Sequence, residues 1–138
     1  MSQDYKHKKI LIVDDTAFMR AGLIKILIEL GFSKDNLRQC EDGNIAVDQL
    51  RKDDVVFDLI LSDWNMPNMN GLELLKHVRS SGGKTATLPF VLITTVSEKE
   101  KVIEAINYKV TGYLLKPVAS TALEENLRRI FGGDTDDG

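Results

Sequence analysis

Four short runs of the chain are apolar at nearly every position: Lys9–Val13 (KILIV), Phe57–Ser62 (FDLILS), Phe90–Thr94 (FVLIT) and Tyr113–Leu115 (YLL). Short continuous runs rich in β-branched and bulky residues predict strands covered on both faces. Between them the apolar spacing changes to that of a helix. Leu123, Leu127, Ile130 and Phe131 recur on one helical face while Glu124, Glu125, Arg128 and Arg129 take the others, so the last segment reads as an amphipathic helix. The first helix carries Phe18, Met19, Leu23, Ile24, Leu27 and Leu30 and is closed by Gly31. A further strand is read over Leu37–Glu41, with a helix from Gly43 to Lys52 behind it.

Helix starts are marked as well. Ser97 with Glu100, Thr121 with Glu124, and Asn70 with Glu73 each fit a capping box, in which a short polar side chain and an acid three residues on satisfy each other's orphan amides. The order is therefore strand then helix, five times over. That alternation, with strands buried on both sides, predicts an α/β domain whose parallel sheet is covered by helices on both faces. Residues 9–131 form this single domain, with no internal repeat or linker. Met1–Lys8 and Gly132–Gly138 (GGDTDDG) lie outside the scheme and read as polar, disordered tails.

The 138 residues suit one domain with a proper core and no structural metal or disulfide. Cys40 is the single cysteine, and no charged-then-apolar leader opens the chain, so a cytoplasmic location is expected. No apolar run approaches the roughly 20 residues of a membrane span. A net charge of −3 without a basic stripe argues against nucleic acid as a partner.

In an open parallel sheet the carboxyl ends of the strands share one edge, where ligands bind. The first strand delivers Asp14 and Asp15 there, the third Asp63, the fourth Thr94 and Thr95, and the fifth Lys116. Each has a plainer reading: adjacent acids cap helices, a threonine ends a strand, a lysine before proline sits in a turn. Their arrival at equivalent places in separate βα units argues for a site. Three carboxylates repel one another unless a cation compensates, and hard oxygens without histidine or cysteine point to Mg²⁺. Lys116 can neutralise a transferring phosphoryl group, and Asp63, alone on its strand, is the best nucleophile.

The stretches "ILIVDDTAFMR" (10–20), "LILSDWNMPNMNGLELLKHVR" (59–79), "FVLITT" (90–95) and "TGYLLKP" (111–117) resemble, in order and spacing, the receiver domains of two-component response regulators, and among them the stand-alone chemotaxis regulators of the CheY type. The resemblance implies a doubly wound, flavodoxin-like sheet of order 2-1-3-4-5 with five helices. It implies that Asp63 accepts a phosphoryl group from a sensor histidine kinase (CheA-like), that Asp14, Asp15, Asp63 and the Asn65 backbone carbonyl hold Mg²⁺, and that Thr94 and Lys116 contact the phosphoryl oxygens. Tyr113 would be the aromatic switch, the Lys116–Pro117 bond would be cis, and Pro67 would fix the loop after Asp63. The output face would run from the fourth helix through the fifth strand and fifth helix, about residues 98–131.

On that basis the chain is expected to be a monomeric single-domain regulator without an attached output domain. It would catalyse only its own phosphorylation and dephosphorylation, and act on a partner such as a flagellar motor switch component, with a phosphatase as a further partner. A non-flagellar relay or adaptor is the alternative. A phosphatase of the haloacid dehalogenase type uses similar groups, but places its acids as Asp-x-Asp, whereas Asp14 and Asp15 are adjacent. A degenerate scaffold is disfavoured by the complete set of site residues. Thr95, Val96, Lys109 and Val118 depart from the usual family pattern.

The remaining features read plainly. His77 is a solvated helix residue, and Gly82-Gly83-Lys84-Thr85 lacks the earlier glycine of a P-loop and reads as a flexible loop. Trp64 is expected to be a partly exposed aromatic beside the site, and Cys40 a small hydrophobe.

Overall fold

A computed structural model describes residues 4–52, 55–95 and 100–132. Five strands, β1 (Ile10–Val13), β2 (Leu37–Cys40), β3 (Leu59–Asp63), β4 (Phe90–Thr94) and β5 (Gly112–Leu115), alternate with α1 (Ala17–Glu29), α2 (Gly43–Arg51), α3 (Gly71–Arg79), α4 (Val102–Asn107) and α5 (Ser120–Phe131). All neighbouring strands are parallel, and their order is β2-β1-β3-β4-β5. The doubly wound α/β fold is as the sequence predicts.

The twofold period of a strand divides the core into two layers. Leu11, Val13, Ile60, Phe90 and Leu92 point to the side where α2, α3 and α4 supply Val47, Leu74, Leu75, Val78 and Ala105. Ile10, Ile12, Leu59, Leu61, Val91 and Ile93 point to the other side, against Leu23 and Leu27 of α1 and Leu123 and Leu127 of α5. Every residue of β1, β3 and β4 is buried. β5 departs from the expectation that both faces are covered: only Leu114 is buried, while Tyr113 and Leu115 are exposed. β5 is an edge strand, paired only with β4.

Helix ends follow local chemistry where that chemistry is present. At the end of α1 the Gly31 amide donates to the Ile28 carbonyl (3.0 Å) and the Phe32 amide to the Leu27 carbonyl (3.0 Å), with Gly31 at φ 115° and Phe32 buried behind it. This is a Schellman closure, which needs the glycine. Asn70 and Glu73 form the complete capping box at α3, with bonds of 2.8 and 2.9 Å. Thr121 does not cap α5: the helix begins at Ser120 behind Ala119, which makes no side-chain cap bond. The box at Ser97 lies outside the described residues.

Two segments are more ordered than their composition suggests. The Gly82–Thr85 stretch, expected as a flexible loop, turns through positive φ at Gly82 and Gly83 into a 3₁₀ turn over Gly83–Thr87. Tyr5, within the stretch read as a polar tail, is buried and stacks on Phe32 with ring centroids 4.6 Å apart; its ring also tilts against Phe131 at 6.1 Å. No described helix is long and apolar enough to cross a membrane.

Candidate functional site

Three backbone bonds carry the sheet register one step past its strands and gather the reactive groups. The Asp14 amide donates to Cys40 (3.0 Å), the Trp64 amide to Ile93 (2.9 Å) and the Lys116 amide to Thr94 (2.8 Å). Asp14, Asp63, Thr94 and Lys116 therefore lie at the carboxyl edge of β1, β3, β4 and β5. The carboxylates of Asp14, Asp15 and Asp63 each offer an oxygen within 4.8 Å of the others. The Lys116 ammonium pairs with Asp63 Oδ1 at 2.7 Å, and the Lys116–Pro117 peptide is cis.

Asp63 and Asp14 are buried, Asp15 is exposed, and Thr94 is buried at the end of β4. Burial pushes the Asp63 carboxyl above its ordinary value, with Lys116 pulling it back and the neighbouring acids adding to the rise. Burial does the same at Asp14, opposed by the Thr16 amide, which donates to Asp14 Oδ1 at 2.8 Å, and by Lys116. Asp14 Oδ2 is buried with no hydrogen-bond partner among the described residues. A buried carboxylate oxygen without a donor is costly. An all-oxygen, three-carboxylate cluster facing one ammonium fits a small hard divalent cation such as Mg²⁺, which takes one or two carboxylates and keeps several waters.

The loop after β3 is shaped by close approach. The Gly71 amide donates to the Trp64 carbonyl at 2.8 Å, and a Cβ on Gly71 would lie 2.5 Å from the Asp63 carbonyl oxygen. Only glycine lets α3 start against the end of β3. Asn65 lies exposed in this loop. Trp64 is buried, not partly exposed as its sequence position suggested, because it joins the α2–α3 side of the core. Tyr113 lies on β5 opposite Leu92 and is 40 % exposed.

Arg20 is a contact the sequence did not flag. From α1 it donates to the Asp14 carbonyl (2.5 Å) and to Gln39 Oε1 (2.9 Å), tying the acidic loop to β2. A lone arginine on a helix gives no periodic signal that it folds back on the preceding loop. His77 is half-buried on α3, and Cys40 is buried with its thiol pushed up to about 11, an unreactive packing residue.

The response regulator receiver domain matches residues 10–128. The chain belongs to the response regulator receiver family. It is 41 % identical over 126 residues to chemotaxis protein CheY-3 of Vibrio cholerae, covering 91 % of this chain and 93 % of that one. It is 37 % identical over 123 residues to chemotaxis protein CheY of Pseudomonas aeruginosa, covering 89 % and 95 %. The crystal structure of V. cholerae chemotaxis protein CheY4 superposes with a TM-score of 0.77 at 31 % identity, over 90 % of this receiver and 98 % of that chain. The protein is thus a CheY-like receiver, a signalling module and not a conventional enzyme. Receiver domains use Mg²⁺ at an acidic pocket, and the cluster of Asp14, Asp15 and Asp63 could hold such an ion.

Proposed function

We propose that Asp63 accepts a phosphoryl group from the phosphohistidine of a sensor kinase, and that this changes the affinity of the α4–β5–α5 face for a partner protein in chemotaxis. The observation that carries the proposal is a buried carboxylate paired with Lys116 at 2.7 Å and set beside two further carboxylates. An Asp63 carboxylate oxygen attacks phosphorus, the P–N bond to the donor imidazole breaks, and a P–O bond to Asp63 forms; the imidazole takes up a proton. Asp14, Asp15, Asp63 and the Asn65 carbonyl would hold Mg²⁺, which neutralises charge on the transferring group. Lys116 pairs with a phosphoryl oxygen in place of the carboxylate, and Thr94, at the end of the adjacent strand, donates its hydroxyl to another.

Phosphorylation adds about −1.5 to −2 charge and three acceptor oxygens at one edge of the sheet. Reversing a 1:99 population requires roughly 5.5 kcal/mol of differential interaction, which an ammonium and a hydroxyl drawn to a phosphoryl group in a desolvated site can supply. Movement of Thr94 reaches β5 directly, since the Lys116 amide bonds its carbonyl, and Tyr113 reads that movement at the surface. Ile103, Ile106, Tyr113 and Leu115 expose an apolar set on α4 and β5 suited to a protein partner. The names of the relatives support chemotaxis; the output we assign is a flagellar switch component, bound by a cytoplasmic, monomeric regulator. Thr95 is half-buried beside Thr94; Val96, where chemotaxis members often carry an acid, lies outside the described residues.

The test is phosphotransfer. A phosphorylated histidine kinase domain mixed with this protein and Mg²⁺ should lose its label stoichiometrically to the receiver and not to Asp63→Asn. Repeated turnover of a phosphate ester, with no labelled protein accumulating, would instead mark a phosphatase.

A further inference from the structure

The turn joining α4 to β5 holds a backbone shape that its sequence does not favour. Lys109 has φ 60°, in the left-handed region that glycine enters freely and a lysine enters at a cost. Two guanidinium groups close on this turn from opposite core layers. Arg79, at the end of α3, donates from Nε to the Tyr108 carbonyl (3.1 Å) and from Nη2 to the Lys109 carbonyl (2.9 Å), while its Nη1 reaches the carbonyls of Leu88 (2.7 Å) and Ala86 (3.2 Å). Arg129, on α5, donates from Nη1 to the Thr111 carbonyl (2.8 Å), and its Nη2 is oriented by Asn126 Oδ1 (2.5 Å). Thr111 is bound to β4 twice: its amide donates to the Phe90 carbonyl (2.8 Å) and its Oγ1 accepts the Phe90 amide (2.9 Å).

Four bonds use most of the five donors of the Arg79 fork, so this guanidinium is committed to backbone and is not an anion site. Glycine at 112 is part of the same device, because a Cβ there would displace the Asn126 amide and the Arg129 guanidinium. We propose that Arg79 and Arg129 are positioning residues that clamp the α4–β5 turn, hold Lys109 in its left-handed shape, and fix the base of the α4–β5–α5 face so that phosphorylation moves that face about an anchored point. The last clause rests on the role given to Asp63; the clamp itself does not.

Hydrogen exchange on the full chain tests it, because local opening and global unfolding separate by residue. The amides of Tyr108, Lys109 and Val110 are bonded to the carbonyls of Ala105 and Ile106, and report the turn. In Arg79→Met they should exchange at least about tenfold faster, while the amides of Ile60 in β3 and of Trp64 just after it accelerate less than about threefold. In a Lys109→Gly background the same substitution should accelerate the turn by less than about threefold, since glycine needs no clamp to stay left-handed. Equal acceleration in turn and β3, or an equal effect in both backgrounds, would overturn the clamp. With acetyl phosphate and Mg²⁺, Arg79→Met should take up phosphate as the parent does, yet show a smaller exchange response at 112–115. An undiminished response would overturn the anchored-point claim. A parent that takes up no phosphate would defeat the role of Asp63, while the phosphate-free comparison still decides the clamp.

Discussion

Replacing Gly71 with alanine sets two physical effects against each other with opposite signs. On helix propensity alone alanine should gain about 0.5–1 kcal/mol over glycine. The structure demands the reverse. A Cβ at this position would lie 2.5 Å from the Asp63 carbonyl oxygen, 2.7 Å from Leu92 Cδ2 and 3.1 Å from the Trp64 Cα. Leu92 can rotate its methyl away, but the Asp63 carbonyl belongs to a fully buried strand. Reaching even 3.0 Å means moving α3 or β3 by roughly 0.5 Å, against the Gly71 amide bond to Trp64 at 2.8 Å and the Asn70–Glu73 capping box. Overpacking of this kind costs about 1–3 kcal/mol, and a weakened buried hydrogen bond adds about 1 kcal/mol. The net loss should be about 1–3 kcal/mol, which lowers the urea midpoint by about 0.5–2 M for a domain of this size. Gly22→Ala is the matched control: it lies within α1 with nothing within 4 Å of its Cβ, and should stabilise by about 0.5–1 kcal/mol. Paired urea titrations of the two variants decide the matter. If Gly71→Ala unfolds at the same or a higher midpoint than the parent, the close approach that positions Asp63 is not the constraint described.

Further outcomes follow from the same geometry. Asp14→Asn should stabilise the metal-free fold by about 1–3 kcal/mol, by removing a buried charge whose Oδ2 has no partner among the described residues, and should weaken Mg²⁺ binding followed by Trp64 fluorescence. Asp14 and Asp63 both titrate above the ordinary 3.8 in the fold, so the folded state binds more protons than the unfolded one in the window just above that value. Metal-free stability should therefore rise as pH falls through that window, and Asp14→Asn should flatten the rise; a slope unchanged by the substitution counts against the burial argument. Asn70→Ala should cost about 1 kcal/mol in thermal unfolding by removing the α3 cap. Tyr5→Ala should cost about 3 kcal/mol, whereas a true tail residue would cost nothing measurable.

What could be read from the sequence was what local chemistry decides. The apolar runs of β1, β3 and β4 are self-evident because both sides of each strand are covered, and the Gly31 and Asn70 helix ends are set by residues within one turn. The same logic placed Asp14, Asp63, Thr94 and Lys116 at one edge, because every parallel strand ends there. Features decided by distant partners stayed hidden. Tyr5 is buried by Phe32 and Phe131, which nothing in the first ten residues announces, and Trp64 is buried by the α2–α3 side of the core although it follows the acid that ends β3. β5 reads like a central strand, yet it lies at the edge of the sheet with Tyr113 and Leu115 exposed. The Thr121 capping pattern is present in the sequence, but α5 begins at Ser120, two residues before the start that pattern implies, so the threonine falls inside the helix. Arg20, Arg79 and Arg129 look like solvated surface charges, and only the fold shows that each donates to backbone carbonyls.

The central claim is that Asp63 is the phosphoryl acceptor and that a divalent cation is required. The most direct measurement is to treat the protein with acetyl phosphate, with Mg²⁺ or with excess EDTA, and to locate the added phosphate by peptide mass spectrometry. The account predicts one phosphoryl group, on the peptide that contains Asp63, formed only with Mg²⁺ and absent in Asp63→Asn. Phosphate on another residue, incorporation that survives EDTA, or none in the parent would contradict it.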